Sequence, residues 1–212
     1  MVIITEPREI ERRSFEIISE RLSGQMPDPQ NSAVIKRVIH TTADFDYAEN
    51  MVFSEGAVDI AKTALRSGAA IVTDTQMVRA GINKKAAAQL GCEVHCFIDS
   101  PEVAETARLS GHTRSRAAVD RAAETLGNPI FFVVGNAPTA LIRLHELVLA
   151  QAIEPLFIVA VPVGFVNVVE SKEMIMALNV PHIVAKGQKG GSNVAAAICN
   201  ALLYETVGGN II

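Results

Sequence analysis

Cysteine is scarce in this 212-residue chain: there are three, Cys92, Cys96 and Cys199. Three thiols cannot build a disulfide framework, and they suit a reducing, cytoplasmic compartment. A long apolar run is also missing. The longest, Leu156 to Val163, is interrupted by Pro162, whereas a bilayer span needs about 20 apolar residues. The opening MVIITEPREIERR is too short in apolar residues for a secretory core. Nor is there an excess of positive charge. Nineteen Lys and Arg face 23 Asp and Glu, for a net charge of −4, so no global field holds nucleic acid or favours a membrane surface. An anionic ligand would need a locally basic pocket. Fourteen glycines and nine prolines exclude collagen-like and low-complexity chains.

What is present is core material. Hydrophobic residues make up 49% and charged residues 20%, which excludes disorder as the main state. The first fifty residues read as helical. Pro7 suits a first turn, Glu9 and Glu11 follow, and Gly24 stops the helix. A turn-rich stretch, Met26 to Asn31, precedes a second helix over Ala33–His40, with Ser32 as its cap. From residue 55 the chain alternates helix, short apolar run and polar turn. The runs AAIV (69–72), EVHCFI (93–98), IFFVV (130–134), LFIVAV (156–161) and HIVA (182–185) are apolar along most of their length and separated by helical patterns. That predicts a parallel sheet covered on both faces: an α/β/α sandwich of about five parallel strands, flavodoxin-like, in a single domain spanning 1–212. The segments after the strands, among them TDTQMVRAG (73–81), GNAPT (135–139), PVGFVNVVESKE (162–173) and KGQKGGSN (186–193), hold most of the special backbone. They gather at the carboxyl edge, where open α/β sheets bind ligands.

Several groups there carry chemistry, each beside a plainer reading. KGQKGGSN precedes a helix, so its N–H groups and the helix dipole favour an anion, with Ser192 as a cap; it reads equally as a tight turn. Gly135 allows close approach of a ligand, although GNAPT alone is an ordinary strand-to-helix turn. His40 closes the second helix three residues after Arg37, so both can face one way. The helix C-terminus favours imidazolium while the arginine opposes it; a histidine without catalytic work remains open. Arg114 and Arg116 flank Ser115 at a helix start, as a carboxylate clamp or a solvated turn. His95, in a strand near Cys92 and Cys96, has neither metal-ligand spacing nor a C-x-x-C partner. His145 faces the core or a subunit, His112 lies in a loop, and His182 opens a strand. No Walker pattern, dinucleotide fingerprint or nucleophile elbow is present.

RVIHTTADFDY (37–47), PREIERRSFEII (7–18), TDTQMV (73–78), HTRSRAA (112–118), VGNAPTAL (134–141), PVGFVNVVESKE and KGGSNVAAA (189–197) together resemble the precorrin-8X methylmutase family, in order and nearly end to end. The resemblance implies a flavodoxin-like isomerase of cobalamin biosynthesis. A methyl group on ring C of a contracted tetrapyrrole moves from position eleven to position twelve, giving hydrogenobyrinic acid, or cobyrinic acid when cobalt is present. It implies no methyl donor, redox cofactor or metal cofactor, and a homodimer with the site near the subunit interface. It assigns the catalytic role to His40 and substrate contact to Ser14 and Arg37, with Thr75, Arg114 and Ser115 expected in the same pocket. A non-catalytic corrinoid carrier is the alternative the same crevice would serve.

Overall fold

The computed structural model describes residues 3–22, 28–127 and 129–208. Gly24, Met26 and Pro27, and most of the tail VGGNII (207–212), lie outside them. Helix α1 (Pro7–Arg21) starts where the Glu6 carboxylate accepts the Arg8 and Glu9 amides. A 3-10 turn (Pro29–Asn31) leads into α2 (Ser32–Thr42). Ser32, expected as the cap, is instead the first helical residue. Ala43 ends α2 with a left-handed φ of 55°. The chain continues through α3 (Tyr47–Asn50), β1 (Met51–Phe53), α4 (Ala57–Arg66), β2 (Ala70–Thr73), α5 (Gln76–Gly81), α6 (Lys84–Gln89), β3 (Val94–His95), α7 (Pro101–Ser110) and α8 (Arg114–Leu126). It closes with β4 (Ile130–Val134), α9 (Pro138–Leu149), β5 (Phe157–Ala160), α10 (Val168–Met176), β6 (His182–Ala185) and α11 (Ser192–Val207).

The sheet order is β1-β6-β5-β4-β2-β3. The five strands from β2 to β6 are parallel and follow the flavodoxin-like order. The five expected parallel strands are thus present, and a sixth that the sequence did not show joins them: β1 lies antiparallel on the edge of β6, with Met51 opposite Ala185. Three residues after a helical turn carry no periodic signal; β1 exists because β6 offers an unpaired edge, and the Lys186 amide donates to Asn50 at 2.8 Å. At the other edge EVHCFI shrinks to Val94–His95, which has β2 alone as neighbour.

Side-chain alternation divides the sheet between two layers. Ile71, Phe131, Val133, Phe157, Val159 and Ile183 pack with α2, α4 and α11, whereas Phe132, Val134, Ile158, Ala160 and Val184 pack with α8, α9 and α10. Phe131 stacks on Phe157 with centroids 5.0 Å apart. The Ala-rich helix α11 is buried along most of its length and is the bed on which α2 lies. Helix α1 is outermost. It meets α2 through Ile18 and Leu22 and leaves Ile10 and Ile17 exposed. Among the described residues no helix is long and apolar enough to cross a membrane.

Candidate active site

His40 occupies the last turn of α2. Its ring stacks on Phe15 of α1, with centroids 5.2 Å apart and planes 17° from parallel. It shares a pocket of about 280 Å³ with Ser14, Ile17, Ile18, Arg21, Ile39, Ala43 and Phe45. Ser14 is within this pocket, its hydroxyl donating to the Ile10 carbonyl at 2.8 Å. Partial burial and then Arg37 hold the His40 pKa below the usual imidazole value, while Glu11 pulls it upward. Sequence alone set the helix end against the arginine; the desolvation by Phe15 and its neighbours is the larger effect.

Arg37 is already engaged. Its guanidinium lies over Phe15 at 4.8 Å and over Tyr204 at 5.3 Å, and it donates to Glu11 at 2.6 Å. An arginine held between two rings and a carboxylate braces the α1–α2 seam behind His40.

The carboxyl edge of the sheet carries a second group. Thr75 caps α5 by accepting the Val78 amide at 3.1 Å, so much of TDTQMVRAG is helix rather than loop. Its hydroxyl lies 3.0 Å from that of Ser192. Ser192 was expected to cap α11; it is the first helical residue, and the cap position falls to Gly191, which offers no side chain. Asp74, 6% exposed, accepts the amides of Gly135, Asn136 and Ala137 at 2.7 to 2.9 Å. Burial raises its pKa against the pull of those donors. A Cβ on Gly135 would meet Ala195 at 2.8 Å and the Ser192 backbone at 2.9 Å. The close approach this glycine permits is therefore that of α11, not of a ligand.

One side chain ties this edge to the segment just past the His40 helix. Lys189, in the glycine loop, donates to Asp44 and Asp46 at 2.6 Å each, just beyond the end of α2. Beneath that loop the ammonium of Lys172 donates to the Gly187 and Lys189 carbonyls. Phe15, Asp74 and Lys172 escaped the sequence reading. The signal for Lys172 was there: Val168, Ser171, Lys172 and Ile175 fall on one buried face of α10 at helical spacing.

Arg114 and Ser115 stand apart from His40, at the start of α8 on the opposite layer. Thr113, the cap of α8, bonds Thr139 of α9 at 2.8 Å, so this turn lies beside the helix that follows β4. Arg114 is exposed; Arg116 is tied bidentately to Glu146. The structure thus puts Ser14 and His40 in one pocket, sets Arg37 against the same Phe15 ring but on the lining of the cleft beyond α1, brings Thr75 to Ser192, and leaves Arg114 and Ser115 in a third place. His95 is half-buried and paired with Glu93 at 3.3 Å, rather than enclosed in a core strand. A larger cleft of about 1640 Å³ opens on the other side of α1. Its bases (Arg8, Arg12, Lys36, Arg37, Lys62) are matched by as many acids (Glu11, Glu16, Glu20, Asp59, Glu205), so its lining carries no formal net charge.

The family model described as precorrin-8X methylmutase matches residues 9–205. The chain belongs to the precorrin-8X methylmutase family. It is 47% identical to the cobalt-precorrin-8 methylmutase of Salmonella typhimurium over 97% of this chain and 98% of that protein. It is 38% identical to the precorrin-8X methylmutase of Pseudomonas aeruginosa, over 95% and 97%. The solved structure of the Thermus thermophilus precorrin-8X methyl mutase superimposes with a TM-score of 0.86 at 38% identity, covering 95% of this chain and 99% of that one. The methylmutase fold is thus shared throughout, and the chain is a methyl-shifting isomerase of cobalamin biosynthesis; a carrier role is not favoured.

Proposed function

We propose that this methylmutase moves the ring-C methyl of a precorrin-8-type macrocycle from position eleven to position twelve, with His40 handling the proton that eases the migration. His40 protonates the conjugated system near ring C, or hydrogen-bonds a ring nitrogen, and retakes its proton when the product forms. The reaction is an isomerisation, so atoms balance within the substrate. The observation that carries the reading is the stacked, solvent-accessible His40 in a pocket shared with Ser14. Ser14 contacts the substrate beside it. Thr75, Arg114 and Ser115 meet the macrocycle at the carboxyl edge, and Arg37 acts chiefly by bracing the stack. Residues 1–212 act as one domain in this account, the first fifty supplying α1 and α2.

The enzyme works as a homodimer in the cytoplasm. A pocket of about 280 Å³ is below the 300 to 1,000 Å³ usual for a drug-sized ligand, and a corrin plate is larger than that. A second copy completing the His40 pocket accounts for the mismatch, and the exposed Ile10 and Ile17 on the same helix suit a buried contact. Three free thiols suit a reducing compartment. Because several of the more similar relatives are named for a cobalt-bearing substrate, the cobalt-loaded form is the substrate to expect.

Incubating purified enzyme with cobalt-loaded and metal-free substrate side by side, followed by absorbance, tests this. Catalysis converts many equivalents of substrate per protein, and His40→Ala abolishes conversion. A spectral shift that only tracks protein concentration would instead mark a carrier.

A further inference from the structure

The glycine loop at 186–191 is fastened from below by one side chain. Lys172 of α10 is 1% exposed, and its ammonium donates to the Gly187 carbonyl at 2.7 Å and the Lys189 carbonyl at 2.8 Å. Burial alone accounts for the fall of its pKa to about 8; among the described residues no carboxylate pairs with it. Methionine would fill the same inner face of α10 without the cost of desolvating a cation, so this position is explained by what the ammonium holds.

What it holds is a two-loop unit. The Gly191 amide donates to Val161 at 2.9 Å and the Gly164 amide to Gln188 at 3.2 Å. A Cβ on Gly190 would fall 2.1 Å from the Val161 carbonyl oxygen and 2.7 Å from that of Pro162, so the loops meet backbone to backbone. From their tip Phe165 and Val166 project, 85% and 76% exposed. Through its own side chain Lys189 then reaches Asp44 and Asp46 past the end of the His40 helix.

We propose that Lys172 is a positioning residue of the methylmutase, holding both loops, and through Lys189 the end of α2, in the register that receives the macrocycle. This rests on the reading that substrate binds at the carboxyl edge. Two carbonyl oxygens drawn inward are two dipoles a carboxylate-edged ligand does not meet, and they leave the glycine backbone free to approach it. Lys172 touches no reacting atom; it acts in binding, so its loss raises KM more than it lowers kcat.

The test compares wild type with Lys172→Met by steady-state kinetics on cobalt-precorrin-8 and by hydrogen exchange with and without cobyrinic acid. KM rises about tenfold or more while kcat stays within about threefold. Exchange quickens in 161–166 and 186–191 and is unchanged in β4 and β5. An unchanged KM despite faster loop exchange would overturn the proposal. So would a joint fall of kcat and KM-based affinity with protection lost through β4 and β5, which marks a merely structural lysine. Should Lys172→Met not fold, Gly190→Ala, which forces apart the two loops that the lysine holds, gives the same KM-led defect; wild-type KM in that variant overturns the proposal too. If cobyrinic acid fails to slow exchange of 186–191 in wild type, the edge-binding reading itself is wrong, an outcome separate from the behaviour of the variants.

Discussion

The imidazole of His40 lies nearly flat on the ring of Phe15, centroids 5.2 Å apart and planes 17° from parallel. The two residues come from different helices, so the stack is the seam of α1 on α2 and the orientation of His40 depends on both. Such ring pairs contribute about 0.5–1.5 kcal/mol beyond area, a small part of a fold's stability but a large part of one side chain's aim. Phe15→Leu keeps apolar cover while removing the plate. We expect kcat to fall about tenfold through misplaced proton transfer while thermal unfolding shifts by only a few degrees. Wild-type kcat in this variant would show that the stack does not orient the imidazole.

The pH behaviour of His40 follows from its neighbours. Burial and Arg37 depress its pKa, so at pH 7 the free enzyme holds it mostly neutral, and the protonated form grows as pH falls below about 6.5. If His40 acts as the acid, kcat/KM of wild type rises as pH is lowered through this range and then levels. The sign for stability is opposite: a depressed pKa in the folded state means that His40 contributes stability in full above about pH 6.5, lost as pH falls through the folded value. Arg37→Met removes the opposing cation and leaves Glu11 unpaired, so the NMR titration midpoint of His40 moves upward. A midpoint that stays in place would remove Arg37 from the electrostatics of the site.

The parallel core was legible because its strands are fully buried. IFFVV (130–134) and HIVA (182–185) are sheet from end to end, and Arg114–Leu126 has the helix limits its pattern gives. Strand β1 was not legible, since three residues form a strand only where β6 supplies the partner. The site divides in the same way. His40 is marked by its place at the end of a helical pattern, three residues after Arg37, and Ser14 by the family resemblance alone, whereas the grip of Asp74 on three amides depends on residues 61 to 63 positions away, and no local pattern encodes it. Lys172 was hidden differently: ESKE reads as a solvated charge run, and only the four-residue inner face betrays the buried ammonium.

Asp74 sets up the next expectation. Its oxygens accept three backbone amides that join the β2 and β4 termini. Asparagine keeps the shape but presents an NH₂ group to amide donors, leaving buried groups unsatisfied at about 1–3 kcal/mol. Asp74→Asn is therefore expected to lower the urea midpoint at pH 7 without changing the m-value. It also disturbs the turn carrying Thr75, so substrate affinity falls with it. Unaltered stability would mean that the three amides find other acceptors.

The separation of His40 from Arg114 yields a test of the shared site. His40 lies on α2 with the α11 layer, and Arg114 opens α8 on the other layer, yet both are assigned to one macrocycle. In a two-fold dimer, each site can draw its histidine from one copy and its arginine from the partner. His40→Ala and Arg114→Ala homodimers are then each inactive, because each lacks one group in both sites. Unfolding, mixing and refolding them makes half the dimers mixed. Each mixed dimer has one site with both groups lost and one intact, so about a quarter of wild-type activity returns. If a mixture shown by mass spectrometry to contain mixed dimers recovers nothing, both groups act within a single chain. The shared-site arrangement is then wrong even if the protein is a dimer.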